Sequence, residues 1–569
     1  MTAPPRFPIT IRSMRVFADE PIQFDGQDKV IIVGPNNTGK TRFLSNLSVS
    51  IQMTTTNGSV TSIEFDGAIS SHRLSDFAES IGAPLELRDH DRYYHLGART
   101  VHDSRGGPNS TFAQQLQAEM VKDALMLYLP VERRLDPQRQ DFRAEALHQL
   151  DRLSSRHPVQ RYVYDPLVAG AVDAIISRAF DLEIIPNDGG GSHIWLHFGK
   201  RSELPDKTSG VPYFRALQHV PELAQQGHGV RSFCSILLAL MSSKWAFALV
   251  DEPEMFLHPP QAQIIGQILG SDQIVPGQVF VATHSADVLH GILSASGART
   301  KIMRFTRKGS NFNCRSIPVA DARRLQEATG AHSKAALDAF FHDRTILCEG
   351  EFDARFYGAL TDAMGTTESG AGLRDVLFFP CGGKQRMPAI ARTLVQLGID
   401  VRVICDFDAL REEQTISGLV LAAGGDWTTL RSRWRAVCSA IESRTREDDL
   451  TKIRDEGIQI LTAATVSTTA NEMSRRIRAL WRRLSGWELA KAFGIQSLSG
   501  EPHKQCLDLV GDLEKLGIYV TPWGELENLD RAAGGASSKS SWLDTVLEKN
   551  LAVAEELESA RRVLRGVLS

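Results

Sequence analysis

The distribution of apolar residues predicts two successive α/β regions. In the first, short apolar runs typical of buried parallel strands lie at 30–33, 125–129, 246–250 and 279–282. In the second, they lie at 345–348, 376–379, 401–405 and 518–520. Helical patterns fall between these runs, and strands that alternate with helices indicate a mainly parallel sheet in each region. A Gly-rich stretch between 183–185 and 194–196 also predicts a β-hairpin.

A change of pattern near residues 330–343 predicts the boundary between the two regions. We predict a first domain over residues 1–335, with a helical segment at about 140–185 that is a candidate dimerisation element. A second domain is predicted over 343–569, with an arginine-rich helical insertion at about 428–510.

Composition narrows the class of protein. The chain of 569 residues is too long for a single small fold. Its composition, with 42% hydrophobic and 23% charged residues, is ordinary for a folded protein. The 64 Lys and Arg against 68 Asp and Glu give a net charge of −4, so any nucleic-acid surface must be a local patch.

The same sequence predicts a cytoplasmic protein without a membrane segment. No run approaches about 18 consecutive apolar residues, and no secretory signal pattern is visible. The 7 cysteines form no C-x-x-C pair, which argues against a zinc ribbon and a disulfide framework and favours reduced thiols.

The first chemical motif is a complete phosphate-binding loop. The segment 34–41, Gly-Pro-Asn-Asn-Thr-Gly-Lys-Thr, fits G-x-x-x-x-G-K-[ST] between a predicted strand and a predicted helix. Its backbone N–H groups would surround the phosphates, with Lys40 on the β- and γ-phosphates and Thr41 on Mg²⁺. The residues predicted to bind ATP here are Gly34, Asn36, Asn37, Gly39, Lys40 and Thr41.

An acidic pair at the end of another predicted strand completes this site. Asp251 would hold the Mg²⁺ shell, and Glu252 would polarise the attacking water. Adjacent acids at a strand end are common, so this pair indicates a nucleotide site only in combination with the phosphate loop.

These motifs resemble those of the ABC-type ATPases of the SMC kind. Residues 251–254 and 257–259 resemble their Walker B motif and D-loop, and 226–232 resembles their signature loop, with Gly229 as its ATP-binding glycine. His284, after a predicted strand, resembles their switch histidine. The resemblance implies ATP bound between two heads, and therefore a homodimer or a higher homo-oligomer.

The second region places acids at predicted strand ends. Glu349 follows 345–348, with Asp353 four residues later, and Asp406 and Asp408 follow 401–405. Alternate residues of an extended segment point the same way, and the carboxyl ends of parallel strands meet at one edge. Hard oxygen ligands favour Mg²⁺ or Mn²⁺. An isolated Asp-x-Asp, however, is more often a solvated surface pair without a metal.

Together with the Gly382-Gly383 turn, these acids resemble the Toprim fold. A primase would need a zinc module and a type II topoisomerase a cleavage domain, and neither is found in the sequence. An ABC-type head followed by Toprim is the arrangement of the OLD (overcoming lysogenization defect) family of ATP-dependent nucleases, as in Gabija-type or retron-associated defence nucleases.

The OLD resemblance implies further site residues. A late acid completes the metal site, for which Glu527 is the first choice and Glu525 the second. A basic residue follows, for which Lys539 is the nearest candidate and Lys384 an alternative cation. The implied chemistry is phosphodiester hydrolysis with two metal ions. Glu349, Asp406 and Asp408 would be ligands, and Asp353 and Glu527 would support the second ion.

The arginine-rich segment has two interpretations. Arg475, Arg478 and Arg482 share one helical face. A solvated helix paired with nearby acids is the ordinary interpretation, and a phosphate-tracking surface, together with Lys384, is the functional one.

The resemblance implies an ATP-regulated DNA endonuclease of anti-phage defence. Its cofactors would be ATP with one Mg²⁺ and two Mg²⁺ or Mn²⁺ ions at the Toprim site, and its partners DNA and a helicase or a reverse transcriptase with its non-coding RNA. Two alternatives remain open: a Toprim ribonuclease acting on tRNA or other RNA, and a non-catalytic ATP-switched sensor.

Overall fold

The computed structural model divides into two compact units, Met1–Arg323 and Arg324–Ser569. The structure describes residues 9–17, 20–53, 57–66, 85–88, 91–96, 99–103, 126–131, 142–148, 157–189, 191–241, 245–275, 277–295, 299–330, 333–367, 375–443, 454–455, 457–459, 461–462, 473, 486–530 and 539–569. The division lies inside the helix Val319–Thr329, shortly before the predicted boundary at 335–343. The functional extent of each domain stays a prediction.

The first unit is mixed α/β. Its described strands are β1 (Thr10–Val16), β2 (Ile22–Gln23), β3 (Lys29–Val33), β4 (Val60–Asp66), β5 (Leu85–Arg88), β6 (Asp91–Leu96), β7 (Arg99–Asp103), β8 (Met126–Leu129), β9 (Arg143–Glu145), β10 (Glu183–Asn187), β11 (His193–Gly199), β12 (Phe247–Asp251), β13 (Gln278–Ala282), β14 (Thr300–Lys308) and β15 (Asn311–Pro318). Its described helices are α1 (Lys40–Met53), α2 (Pro158–Tyr164), α3 (Pro166–Phe180), α4 (Val211–Leu217), α5 (His228–Met241), α6 (Pro259–Gly270), α7 (Ala286–Ala295) and α8 (Val319–Thr329), the last of which ends in the second unit.

A six-stranded sheet in the order β15-β14-β3-β13-β12-β8 forms the centre of this unit. All its neighbours pair in parallel except β14 and β15. Every residue of β3, β12 and β13 is buried, as their unbroken apolar runs predict. Helix α1 adds Phe43, Leu44 and Leu47 to the same core. The loops after β3, β12 and β13 therefore lie at one edge of the sheet.

The predicted hairpin is confirmed, because β10 pairs antiparallel with β11. The predicted helical segment at about 140–185 is wrong at its start, where β9 pairs with β11. Ala144 is buried while Arg143 and Glu145 are not, and this alternation suits a strand at a sheet edge. Helices α2 and α3 account for 158–164 and 166–180.

The second unit is built on a parallel sheet. Its strands are β16 (Arg344–Cys348), β17 (Val376–Pro380), β18 (Asp400–Cys405) and β19 (Ile518–Val520), in the spatial order β17-β16-β18-β19. Its further described helices are α9 (Ser333–Asp338), α10 (Glu351–Thr367), α11 (Met387–Gln396), α12 (Glu413–Ala422), α13 (Trp427–Glu442), α14 (Gly486–Phe493), α15 (Gly500–Lys515), α16 (Lys539–Leu547) and α17 (Glu558–Leu568). Helices α13, α14 and α15 lie in the predicted insertion, between β18 and β19.

All four strands of this sheet run parallel. Their carboxyl ends therefore meet at one edge, where the predicted acids follow β16 and β18. The core beside the sheet contains Ile346, Phe356, Trp542 and Leu564, so α10, α16 and α17 pack on it.

The cysteine side chains lie in the interior of the protein. All 7 of them are buried. Among the described helices, none combines the length and the apolar character that a membrane span requires.

Candidate functional site

The phosphate loop lies between β3 and α1, as the motif predicts. Its backbone has positive φ at Gly34 (142°), Asn37 (62°) and Gly39 (86°). A Cβ on Gly34 would lie 2.2 Å from the carbonyl oxygen of Phe305, so glycine is required for β3 to pass this close to β14. The loop leads directly into the N-terminus of α1, where backbone N–H groups can bind an anion.

Lys40 lies inside this loop. Its buried ammonium donates to the carbonyl oxygens of Gly34 (2.7 Å) and Pro35 (2.8 Å). The Thr38 hydroxyl also donates to Pro35 O, at 2.8 Å. These bonds hold a positive charge within the loop, where the motif places the phosphates. Asn36 and Asn37 form the exposed tip.

Asp251 joins the loop to the neighbouring strand end. It is the last residue of β12, it is buried, and its Oδ1 accepts the Thr41 hydroxyl at 3.2 Å. A hydroxyl beside a buried carboxylate is the donor set that Mg²⁺ takes in a nucleotide site. The residues present therefore fit a magnesium nucleotide.

Glu252 and His284 meet beside this pair. Glu252 has a φ of 42°, and its Oε1 lies 3.3 Å from His284 Nε2. A positive φ is uncommon for a glutamate, and here it occurs at the residue that directly follows β12. The predicted water-polarising acid and the predicted switch histidine are thus in contact.

Sequence reasoning missed the role of Glu254 in this arrangement. Its Oε1 accepts the backbone N–H of His284 at 2.6 Å. Burial raises the pKa of Glu254, while the hydrogen bond from His284 opposes that rise. Glu254 therefore fixes the start of the His284 turn.

Gly229 lies in the first turn of α5, against the segment that follows the acidic pair. A Cβ there would lie 2.4 Å from the carbonyl oxygen of Phe256. The ring of His228 is 5.3 Å from the exposed ring of Phe256. Its role as a signature-loop residue toward a second head stays a prediction.

In the second unit, Glu349 and Asp353 flank the turn from β16 into α10. The Gly350 N–H donates to Asp353 Oδ2 at 3.0 Å, and the Gly383 N–H donates to Glu349 O at 2.9 Å. Gly382 and Gly383 have φ of 71° and 119°, so the predicted Gly-Gly turn is what brings the loop after β17 against Glu349. Burial, and then the charge of Asp408, raise the pKa of Glu349.

Asp406 and Asp408 begin the turn after β18, and both are 8% exposed. Burial and the nearby charge of Asp353 raise the pKa of Asp406 well above its usual range. Burial also raises the pKa of Asp353, while the charge of Lys539 opposes that rise. The strand ends thus concentrate negative charge in a buried place, which favours a cation.

Lys539 lies in this cluster. Its Nζ is 3.8 Å from Asp406 Oδ2 and 3.8 Å from Glu527 Oε2. Burial alone would lower the pKa of Lys539, but the charges of Asp406 and its neighbours outweigh it and raise the pKa. The structure therefore brings Lys539 and Glu527 to the acids at the strand ends.

Two further lysines contact Asp408. Lys384 Nζ lies 2.8 Å from Asp408 Oδ2, and Lys491 Nζ lies 3.4 Å from the same oxygen. Lys491 also lies 3.3 Å from Glu525 Oε1. Sequence reasoning placed Lys384 only near the site and missed Lys491, which lies on α14.

The donor chemistry of this cluster fits a hard divalent cation. Buried Oε2 atoms of Glu349 and Glu527 accept no hydrogen bond from the described residues. Within the described part of the chain, however, no three His, Cys, Asp or Glu side chains converge as a preformed metal site. Asp406 and Asp408 instead face the lysines described above.

The arginines predicted to bind nucleic acid, Arg475, Arg478 and Arg482, lie outside the described residues. On α13, Arg431 Nε donates to Glu413 Oε1 at 2.6 Å, and Arg433 pairs with Asp512. These described arginines follow the ordinary interpretation of ion-paired helix surfaces.

Comparison with known families matches part of the second unit. The model of the "Overcoming lysogenization defect protein-like, TOPRIM domain" matches residues 340–408, from shortly before β16 to Asp408. Comparison with curated proteins gave no match.

Solved structures similar to the chain are ATPase heads. An SMC head bound to the C-winged helix domain of ScpA has a TM-score of 0.31 and 11% identity, covering 55% of this chain and 99% of that one. An SMC head with an extended coiled coil bound to the C-terminal domain of ScpA, from Pyrococcus furiosus, has a TM-score of 0.30 and 10% identity, covering 56% and 99%. An ATP-binding cassette dimer with ADP and Pi has a TM-score of 0.24 and 12% identity, covering 52% and 93%.

The phosphate loop, the Asp251 strand end and the His284 turn lie on one sheet, an arrangement that fits the ABC-type ATPase fold predicted from the motifs. The same chain contains a Toprim domain, matched at residues 340–408. That domain is of the OLD-like kind, as the resemblance predicts.

Proposed function

We propose that this protein is an ATP-regulated, divalent-metal-dependent DNA endonuclease. The observation that carries the proposal is the meeting of Glu349, Asp406, Glu527 and Lys539 at the carboxyl edge of the second sheet. Acids from separate strand ends with a lysine among them suit hydrolysis of a charged phosphodiester.

Glu349, Asp406 and Asp408 would hold the metal, with Asp353 and Glu527 in support. The chemistry that divalent ions would supply when bound by these residues is a lower pKa of an attacking water and stabilisation of the leaving oxygen. Lys539 would offset the negative charge that develops on the phosphate, because its ammonium already lies beside Asp406 and Glu527.

The first unit would bind ATP and regulate cleavage. Lys40 and the loop amides would hold the phosphates, and Thr41 and Asp251 the Mg²⁺. Glu252, held against His284, would orient the attacking water. By resemblance to ABC-type heads, two copies of the chain would close on the nucleotide, with Gly229 facing the second copy.

The biological role that we propose is anti-phage defence in the cytoplasm, with a helicase or a reverse transcriptase as a candidate partner. It is supported only by the resemblance to OLD-type defence nucleases. The arginine-rich insertion supplies the candidate DNA surface, as a local patch on a chain of net charge −4.

The test uses supercoiled plasmid DNA and a folded RNA in parallel, with Mg²⁺ or Mn²⁺, with and without ATP. We expect wild type to nick or linearise the plasmid, and Asp406→Ala to leave it intact while still binding ATP. Cleavage of RNA alone would replace DNA by RNA as the substrate. Absence of cleavage of either would favour a non-catalytic ATP switch, and the ATP lanes give the sign of regulation.

A further inference from the structure

Lys491 connects the helical insertion to the acid-bearing loop after β19 through its backbone. Its carbonyl oxygen accepts the Glu525 N–H at 3.0 Å and the Asn528 Nδ2 group at 2.8 Å. A Cβ on Gly524 would lie 1.9 Å from this oxygen, so glycine is required for the close approach. The position of Lys491 on α14 is therefore fixed against the loop that carries Glu525.

The side chain of Lys491 extends the connection to the end of β18. Its Nζ lies 3.4 Å from Asp408 Oδ2 and 3.3 Å from Glu525 Oε1. Asp408 is only 10% exposed at its side chain, so this contact is made in a largely buried place. One ammonium thus bridges a strand-end acid and a loop acid.

Lys539 makes the corresponding bridge on the other side of the cluster, between Asp406 and Glu527. The cluster consequently contains two such bridges, each with one acid from the end of β18, one from the loop after β19, and a lysine between them. The two lysines reach their pairs from different parts of the chain, α16 and α14. Lys384 contacts Asp408 as well, at 2.8 Å, and this contact remains when Lys491 is replaced.

The Lys491 ammonium lies between two carboxylates, in the position that a bound metal ion would favour electrostatically. A divalent ion that approached Asp408 and Glu525 would be repelled by Lys491, and its binding would require that ammonium to move. Removal of the Lys491 charge should therefore strengthen cation binding. If Lys491 only held the structure together, its removal would weaken cation binding instead.

We propose that Lys491 is a positioning residue that ties the helical insertion to the metal site and competes with a divalent cation for Asp408 and Glu525. The proposal rests on the proposed function, because it assumes that the cluster binds a metal. If the proposal is correct, the helical insertion contributes to the affinity of the cluster for the metal.

The first test measures Mn²⁺ binding by calorimetry on the full chain without nucleotide. Lys491→Met should bind Mn²⁺ about three- to tenfold more tightly than wild type, because the repulsive charge is gone. Lys491→Arg keeps the charge and should restore wild-type affinity. Lys515→Met is the matched control, since Lys515 pairs with Asp512 on the exposed side of α15.

A second test uses wild type and does not depend on the folding of a variant. Lysine acetylation is followed residue by residue by mass spectrometry, with and without Mg²⁺. Cation binding should displace the Lys491 ammonium and increase its acetylation at least threefold, while acetylation of Lys515 stays constant.

The outcomes separate the two proposals. Unchanged or weaker Mn²⁺ binding by Lys491→Met would overturn the role of Lys491, and so would acetylation of Lys491 that does not change with Mg²⁺. The nuclease proposal is tested separately, by plasmid cleavage. A wild-type chain that neither binds Mn²⁺ nor cleaves nucleic acid overturns both.

Discussion

At the scale of single residues, the acids of the second unit are balanced by lysines from distant positions. Asp406 and Glu527 face Lys539, and Asp408 faces Lys384 and Lys491. Buried carboxylates repel one another, and this repulsion is relieved when a lysine or a divalent cation lies between them. The same arrangement thus suits both folding and the proposed chemistry.

Lys539→Met tests the catalytic assignment of a lysine. Loss of its ammonium should reduce plasmid cleavage about a hundredfold, since it would no longer offset negative charge on the phosphate. ATP binding should not change. Cleavage rates are compared with those of Lys515→Met, and equal rates for the two variants would remove Lys539 from the mechanism.

Glu252→Gln tests the nucleotide site. The neutral amide keeps the shape of the side chain beside His284 but cannot act as a base, so ATP hydrolysis should fall about a hundredfold or more. Nucleotide affinity should stay within about twofold of wild type, because Lys40 keeps its place in the phosphate loop. Glu203→Gln, at an exposed position of the same unit, is the control. Hydrolysis at the wild-type rate by Glu252→Gln would contradict the assignment.

At this scale, the acids of the two sites could be predicted from the sequence more completely than the residues that contact them. Glu349, Asp406 and Asp408 follow apolar strands, so their placement at one edge was predictable. Lys491 and Glu254 act through contacts with residues that are remote in the chain, and the motif that contains Glu254 does not reveal its contact with His284. Lys539 was predicted only through a family resemblance, with Lys384 as the alternative.

At the scale of elements, the buried strands of the two parallel sheets were predictable, and several strands of the smaller sheets were not. Strands β3, β12, β13 and β16 each contain a run of three or four apolar residues and are buried along their whole length, as expected for strands with both faces of the sheet covered. Strands β4, β5, β6 and β7 lie within residues 55–115, where the sequence showed no clear period. Strand β9 has only three residues, too few for an alternation to be recognised.

Gly524→Ala tests whether the loop after β19 must approach α14 closely. Its φ of 92° and the 1.9 Å distance from a Cβ to Lys491 O mean that alanine would displace the loop and its acids. Cleavage should fall at least tenfold, with ATP hydrolysis unaffected. Gly511→Ala on α15, where a Cβ meets nothing within 4 Å, should cleave like wild type. Full activity in Gly524→Ala would show that the loop geometry is dispensable.

At the scale of the whole molecule, each candidate site draws its residues from one unit. Lys40, Asp251 and His284 belong to Met1–Arg323, whereas Glu349 and Lys539 belong to Arg324–Ser569. The sequence predicted this separation from the change of pattern near 330–343. It could not predict how ATP affects cleavage, because that depends on geometry between units and between copies of the chain.

Lys40→Ala and Asp406→Ala test this separation as a pair. Lys40→Ala should lose ATP binding but keep Mn²⁺ binding to the full chain, and Asp406→Ala should show the reverse. Equilibrium binding of a labelled nucleotide and of Mn²⁺ gives both results. Loss of both ligands in either variant, with an unchanged unfolding temperature, would contradict two independent sites.

The central claim is that the acids at the edge of the second sheet perform metal-dependent cleavage. The most direct measurement is cleavage of supercoiled plasmid with Mg²⁺ by wild type, Glu349→Gln and Glu351→Gln. Glu349 lies in the cluster, whereas Glu351 is an exposed residue of the first turn of α10. We predict cleavage by wild type and Glu351→Gln and an intact plasmid with Glu349→Gln. Equal cleavage by all three proteins would place the nuclease activity elsewhere and contradict the account.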